Sequence, residues 1–525
     1  MANDLAILIL AAGKGTRLKS NLAKVLHRAG GRSLVEHVVR AAQPLDPGAG
    51  RLEAGGTKAG ARIVCVVGHQ AEDVRSAVEP MGAASVLQEP QNGTGHAVLV
   101  AREALGRART LIVLPGDAPL VTTETLRALL KTHTDGRAAA TILSARLADP
   151  SGYGRIIRKH EGAADDGSVS AIVEDKALLP SQRGVNEINS SIYCFDAAKL
   201  WPCLDRLTPE NAHRELYLTD AIAMLDRQGE RVLAQVAPDA NEVLGCNTRA
   251  DLAQVDRVFR ERKRAALMAG GVTLLLPETT LVDADVEIGQ DTTIEPNVQL
   301  LGRTRIGAGC SIGTGSVISD SILEDNVTVK PHCIVANCRL GGNVTVGPFA
   351  HLREGAELKH GARVGNFVEV KKSTLGEGVK AMHLTYLGDA SIGRSSNIGA
   401  GTITCNYDGV RKNPTQIGER VFVGSGTELV APVRVGDGAY IAAGSTITAD
   451  VPADSLAIAR QPQTVKAGWA AERRSRVASD KVIVPGASKH AATTREQGKS
   501  ATAKPAPSTR KKEKGKGKRA NARRK

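Results

Sequence analysis

At 525 residues the chain is too long for one hydrophobic core and implies two or three domains. Hydrophobic residues at 42% and charged residues at 24% exclude a fibrous or wholly disordered chain, while 2% aromatics beside 55 glycines ask for an interior of small and aliphatic side chains. Of the formal charge of +14, the segment from Lys489 to Lys525 carries +12, leaving about +2 elsewhere; the basicity belongs to a tail and not to a binding face of the folded part.

The first apolar run, Leu5 to Ala12, is too short to span a membrane. It follows Asp4 with no Lys or Arg before it, so no signal peptide is expected, and the protein is placed in the cytoplasm. Aliphatic runs at 6–10, 62–67, 110–114 and 140–143 read as buried parallel strands, and 34–42 and 122–131 as helices. Residues 1–249 thus have the βαβ rhythm of a three-layer, Rossmann-like α/β domain. The Gly- and Pro-rich stretch 44–60 reads as a surface loop insertion. The eight cysteines are scattered without a C-x-x-C pair and read as free thiols of a reducing compartment, not as a disulfide or zinc framework.

Residues 250–270 form a candidate linker helix, with an apolar stripe of Leu252, Val255, Phe259 and Leu267 that Gly270-Gly271 ends. The period then becomes six. Aliphatic residues stand at Ile288, Ile294, Leu300, Ile306, Ile312 and Ile318, and the same spacing recurs from Leu340 to Val370 and from Ile417 to Ile447. Neither a helix nor an alternating strand has this period; a solenoid of hexapeptide turns does, so residues 271–475 are read as one. Two interruptions, 376–391 and 405–416, are expected to be loops. Trp469 is the last residue expected to pack, and 476–525 reads as a disordered basic tail. Such a tail either attracts polyanions or merely keeps the protein soluble.

The strand at 6–10 runs into Ala11-Ala12-Gly13-Lys14-Gly15-Thr16-Arg17, with Lys24 soon after. A glycine turn followed by cations is a natural phosphate cradle, although the spacing is neither that of a P-loop nor that of a dinucleotide fingerprint, and a plain tight turn remains open. With Gln88, Gly93-Thr94-Gly95-His96 and Gly116-Asp117, the segment resembles the sugar-phosphate nucleotidyltransferases. Gly152-Tyr153-Gly154-Arg155, Ile172-Val173-Glu174, Glu187-Ile188-Asn189 and Gly245-Cys246-Asn247 narrow the resemblance to a bifunctional family. Its members are N-acetylglucosamine-1-phosphate uridylyltransferases and glucosamine-1-phosphate N-acetyltransferases, and the likeness covers about residues 5 to 470. The resemblance implies Mg²⁺ on Asp117 and Asn247. It implies UDP-N-acetylglucosamine binding by Leu10, Ala11, Ala12, Gly13, Arg17, Lys24, Gln88, Gly93, Thr94, Gly154, Glu174 and Asn189, together with Asp117 and Asn247. Ala23 and Pro115 depart from the usual pattern without removing a charge.

In the solenoid, Gly365-Asn366-Phe367-Val368-Glu369, His383-Leu384-Thr385-Tyr386, Asn397-Ile398-Gly399-Ala400 and Asn406-Tyr407-Asp408-Gly409 resemble the same family. The resemblance implies a left-handed parallel β-helix, a homotrimer, and substrates glucosamine 1-phosphate, N-acetylglucosamine 1-phosphate, UTP and acetyl-CoA. Its product is a precursor of peptidoglycan and lipopolysaccharide. An amine must lose a proton to accept an acetyl group, and His383 is the candidate base, with Glu369 its expected orienting partner. Arg353, Lys371, Tyr386 and Asn397 are implied on the sugar phosphate; Ala400, Asn406, Tyr407, Ser425, Ala443 and Arg460 on acetyl-CoA. Met382 stands where a smaller residue is usual. A nucleotidyltransferase with a purely structural solenoid, or a scaffold acting through its tail, would have no use for both sets of motifs.

Overall fold

The computed structural model describes residues 5–45, 63–159, 167–210 and 214–482. Most of the expected 44–60 insertion and the tail beyond Val482 lie outside the described residues. Compact unit 1 runs to Arg460, and the second begins at Gln461.

The amino-terminal half is built on one mixed sheet. Its strands lie in the order Val232–Val236, Ala140–Arg146, Glu187–Asp196, Thr110–Pro115, Leu5–Ala11, Ile63–Val67, Ala84–Leu87. Side chains alternate between two buried faces: Ile7, Ile9 and Ala11 join one apolar cluster, and Ala6 and Leu8 the other. That is why these strands are continuously aliphatic. Ala140–Arg146, expected in a parallel sheet, is parallel only to Val232–Val236; the antiparallel strand Glu187–Asp196 separates it from Thr110–Pro115. Leu5–Ala11 and Thr110–Pro115 are parallel neighbours, Leu10 opposite Pro115, so the loops leaving their carboxyl ends emerge side by side.

Helix Arg249–Ala269 starts at a capping box: Thr248 Oγ1 accepts from Asp251 N at 3.1 Å, and Asp251 Oδ2 accepts from Thr248 N at 2.8 Å. Phe259 stacks on His37 at 3.8 Å between ring centroids, and Arg260 reaches Asp283 at 3.2 Å. One helix thereby grips both the sheet half and the first coil of the solenoid.

The solenoid consists of three parallel ladders of eleven, ten and nine short strands. On one ladder, Ile294, Ile312, Val329, Val346, Val364, Ala381, Ile398, Val423 and Ile441 follow one another in register. Each buries its side chain on the prism axis, which leaves no room for aromatics. The expected loop at 376–391 does not exist: Lys380–His383, Tyr386–Gly388 and Ala390–Ile392 are strands of the ladders. Shortened coils shift the phase there, and small Ala381 takes the inward place. The interruption at 405–416 is a true loop, pinched by a bridge between Tyr407 and Lys412.

The carboxyl-terminal unit contains helix Trp469–Val482, where disorder was expected from residue 476. Ala, Arg and Glu favour helix locally without needing burial. Trp469 does not pack as expected; it is 54% exposed. All eight cysteines are free thiols, and no helix among the described residues is long and apolar enough to cross a membrane.

Candidate active sites

The loops at the carboxyl ends of Leu5–Ala11 and Thr110–Pro115 are tied by Gly116 N, which donates to Leu10 O at 2.9 Å. Gly15 turns with a φ of +65°, and a Cβ there would lie 2.5 Å from Lys24 Cβ; only glycine lets the lysine stem pass beneath the loop. Lys24 thus reaches the centre of the site. Its Nζ donates to Asn247 Oδ1 at 2.7 Å and pairs with the Asp117 carboxylate. Arg17 Nη2 donates to the same Asn247 oxygen at 2.7 Å. Asn247 is held in turn by the helix cap, since Asp251 Oδ2 accepts from its backbone N at 2.9 Å.

Asp117 and Asn247 therefore aim two hard oxygens at a single point, which an ammonium takes here. This donor set suits Mg²⁺, which uses one or two carboxylates plus substrate phosphates and keeps several waters. Among the described residues, no three or more His, Cys, Asp or Glu gather into a metal-binding group.

Two further groups of expected residues are each held by their own local hydrogen bonds. Gln88 Nε2 donates to Gly93 O at 2.9 Å, and Thr94 Oγ1 accepts from Leu218 N at 3.0 Å, which fixes the turn into helix Thr94–Val100. Ala12 O accepts from His69 N at 3.2 Å, while Gly13 has open space where a side chain would be. Elsewhere, Asn189 N donates to Gly154 O at 2.8 Å and Asn189 Nδ2 to the Tyr193 hydroxyl at 2.8 Å. Glu174 lies beside Gly154; burial raises its carboxyl above the usual range, and Asp220 and Asp175 push it the same way.

In the solenoid, His383 ends strand Lys380–His383 and is exposed. Its Nδ1 lies 2.7 Å from Asn366 Oδ1. Glu369, the expected partner, is instead engaged by Arg353 Nη1 at 2.6 Å. The reason is geometric: Glu369 pairs with Tyr386 on one ladder, while His383 pairs with Asn366 on the next. Arg353, Lys371 and Lys412 form a cationic cluster in which Lys412 and then Arg353 push the Lys371 ammonium below its ordinary value. Asn397 stands apart from that cluster, one coil beyond Lys380 on the ladder of His383.

Asn406 Nδ2 donates to Asp389 Oδ2 at 2.5 Å and to the Tyr386 hydroxyl at 3.5 Å, so the loop is tied to strand Tyr386–Gly388 and the residue after it. The Tyr407 hydroxyl donates to Gly409 O at 2.6 Å, leaving the ring exposed. Along one corner, Gly426 N donates to Ala400 O at 2.7 Å and Gly444 N to Ser425 O at 2.8 Å. A Cβ on Gly424 would meet Ala443 N at 2.4 Å, and one on Gly444 would lie 3.6 Å from Arg460 Cδ. Ala400, Ser425, Ala443 and Arg460 thus climb successive coils, as an extended ligand requires. Asp251, Asn366, Asp389 and Lys412 were not singled out from sequence. Asp251 carried a readable signal in the Thr248-x-x-Asp251 capping box, and Asn366 stood within the Gly365–Glu369 motif without a role; the contacts of Asn366, Asp389 and Lys412 depend on coil register.

Residues 7–221 match the family model of the MobA-like NTP transferase domain, residues 276–358 that of the GMPPB C-terminal domain, and residues 414–449 that of the bacterial transferase hexapeptide (six repeats). The chain is 49% identical over 470 residues to the bifunctional protein GlmU of Koribacter versatilis, covering 90% of this chain and 97% of that one. It is 50% identical over 475 residues to the bifunctional protein GlmU of Solibacter usitatus, covering 90% and 98%. With one half of the molecule shaped as a nucleotidyltransferase and the other as a hexapeptide prism, and with likeness running through both, the chain belongs to the GlmU family.

Proposed function

We propose that the protein acetylates glucosamine 1-phosphate with acetyl-CoA and then joins the N-acetylated sugar phosphate to UTP, releasing UDP-N-acetylglucosamine and pyrophosphate. The observation that carries this reading is the pairing of two sites on one chain: a cation-rich centre at the strand ends, and, on the prism, an exposed histidine on one ladder with a cationic cluster on the next.

In the acetyl transfer, His383 takes a proton from the sugar amine as its nitrogen attacks the thioester carbonyl. The C–N bond forms, the C–S bond breaks, and the departing CoA sulfur recovers the proton as a thiol. Arg353 and Lys371 hold the sugar phosphate, and Tyr386 and Asn397 hold the sugar itself. Acetyl-CoA lies along Ala400, Ser425, Ala443 and Arg460, closed over by Asn406 and Tyr407.

In the nucleotidyl transfer, a sugar-phosphate oxygen attacks the α-phosphorus of UTP in line and pyrophosphate leaves, with no protein nucleophile. Arg17 and Lys24 neutralise the triphosphate, and Gln88, Gly93 and Thr94 hold the base end. Leu10 to Gly13 bring backbone up to the nucleotide, and Gly154, Glu174 and Asn189 hold the sugar. Mg²⁺ held by Asp117 and Asn247 would add positive charge to the phosphates when bound. The reading carries with it a homotrimer assembled through the prism and a cytoplasmic location beside the pools of both cosubstrates. The product feeds peptidoglycan and lipopolysaccharide synthesis.

The test is one mixture of glucosamine 1-phosphate, acetyl-CoA, UTP and Mg²⁺ with the full-length protein. UDP-N-acetylglucosamine, CoA and pyrophosphate are expected in equal amounts. Pyrophosphate without CoA release would reduce the prism to a structural role.

A further inference from the structure

We infer that Asn366 is a positioning residue for acetyl transfer, its amide oxygen fixing the tautomer and direction of the His383 ring; this rests on the role of His383 given above. Asn366 Oδ1 lies 2.7 Å from His383 Nδ1. A carboxamide oxygen only accepts, so Nδ1 carries the hydrogen and the Nε2 lone pair is left for the substrate proton. When Nε2 takes that proton, the imidazolium keeps its Nδ1–H on the same oxygen, so no regrouping is needed during the step.

Three features of the prism hold this pair in place. Among the described solenoid strands only Arg363–Asn366 and Lys380–His383 reach four residues, and Asn366 and His383 are their register-matched last residues. Just before them the two coils come so close that a Cβ on Gly365 would lie 1.8 Å from Met382 O. Just after them both chains turn at a left-handed corner, Phe367 at φ 56° and Leu384 at φ 47°, with Leu384 N donating to Asn366 O at 3.1 Å. Phe367 also stacks on Phe349 with centroids 5.6 Å apart, which braces the corner from the coil before. Neither side chain of the pair is buried, so hydrophobic packing does not account for this reinforcement.

Asn366→Leu removes the acceptor at similar volume; Asn366→Asp keeps an oxygen at the same reach. In the full-length protein, Asn366→Leu is expected to lower kcat for acetyl transfer by about 10- to 100-fold, the scale of a misdirected catalytic group. The KM for acetyl-CoA should stay within about twofold and nucleotidyl transfer should be unchanged, while Asn366→Asp should recover most of kcat. An Asn366→Leu protein with normal kcat, or equal losses in both variants, would overturn the inference. If Asn366→Leu fails to fold, shown by the loss of a cooperative unfolding transition for the prism, Asn366→Asp against Asn366→Ala decides in the same way. A His383→Ala protein assayed in parallel separates the two levels: if it retains acetyl transfer, the base assignment itself fails.

Discussion

The Lys24 ammonium lies 2.7 Å from Asn247 Oδ1 and pairs with the Asp117 carboxylate, so three distant segments meet at one charge. Asp117→Ala removes the only carboxylate that the proposed site offers Mg²⁺, and should abolish nucleotidyl transfer. Lys24→Ala should lower its kcat/KM by roughly 10²–10³-fold, the scale of one lost preorganised charge at a transition state. Release of CoA from acetyl-CoA in the presence of glucosamine 1-phosphate should be unchanged in both. Equal damage to both activities in a folded protein would refute independent sites.

The reverse separation is expected in the prism. His383→Ala should lower acetyl transfer by ~10²–10⁴-fold, the usual worth of a general base, with nucleotidyl transfer intact. A thiol-trapping assay for CoA and a phosphate-coupled assay for pyrophosphate read the two separately.

Selection of the sugar should fall to the pocket of Gly154, Glu174 and Asn189. Both ends of the Asn189 side chain are engaged, Nδ2 by Tyr193 and Oδ1 by Ser191 N at 3.1 Å, which fixes its position. If acetylation comes first, kcat/KM for nucleotidyl transfer should favour N-acetylglucosamine 1-phosphate over glucosamine 1-phosphate, and Asn189→Ala should narrow the ratio. Comparable values in the native protein would contradict that order of reactions.

Much of this architecture was readable from periodicity, because a repeated burial requirement leaves a repeated residue type. Ile294 and Ile312 point to the same prism axis and so obey a six-residue rule. The rule weakened where small Ala381 fills the inward place, and an ordered coil therefore looked like a loop. The partner of His383 was not readable. Glu369 has the more familiar chemistry, but Asn366 shares the ladder, and ladder identity depends on how many residues each coil contains. The helix Trp469–Val482 was missed for another reason: it follows local propensity alone, which a search for burial does not detect.

Stability should fall on mild acidification. Burial lowers His37 to about 4, partly offset by its bond to Ala29 O, and burial lowers His133 to about 4 as well. Both folded values lie below the unfolded value of about 6.5. The unfolded chain therefore binds more protons, and stability present above pH 6.5 is lost as pH falls toward 4. At pH 5 each histidine should cost of order 1–2 kcal/mol relative to pH 7. Urea midpoints at the two pH values measure this. His37→Gln, which keeps a donor for Ala29 O, should shrink the difference; an unchanged difference would remove His37 from the explanation.

The basic tail should be separable from both chemistries. Every candidate site residue lies at or before Arg460, and all side chains described from Gln461 to Ser479 are exposed. From Lys489 onward the sequence has no Leu, Ile, Val or aromatic residue, but fourteen Lys and Arg against two Glu. Such a segment offers nothing to bury and much to attract anions. Truncation after Val482 should leave both kcat values within about twofold, since no transition-state contact is lost. The same cut should remove most retention on heparin or DNA, and the intact protein should lose that retention steeply as salt rises, the mark of counterion release. Equal retention of both forms would leave the tail as a solubilising extension. A collapse of acetyl transfer alone would show that residues beyond 482 help to build the acetyl-CoA site.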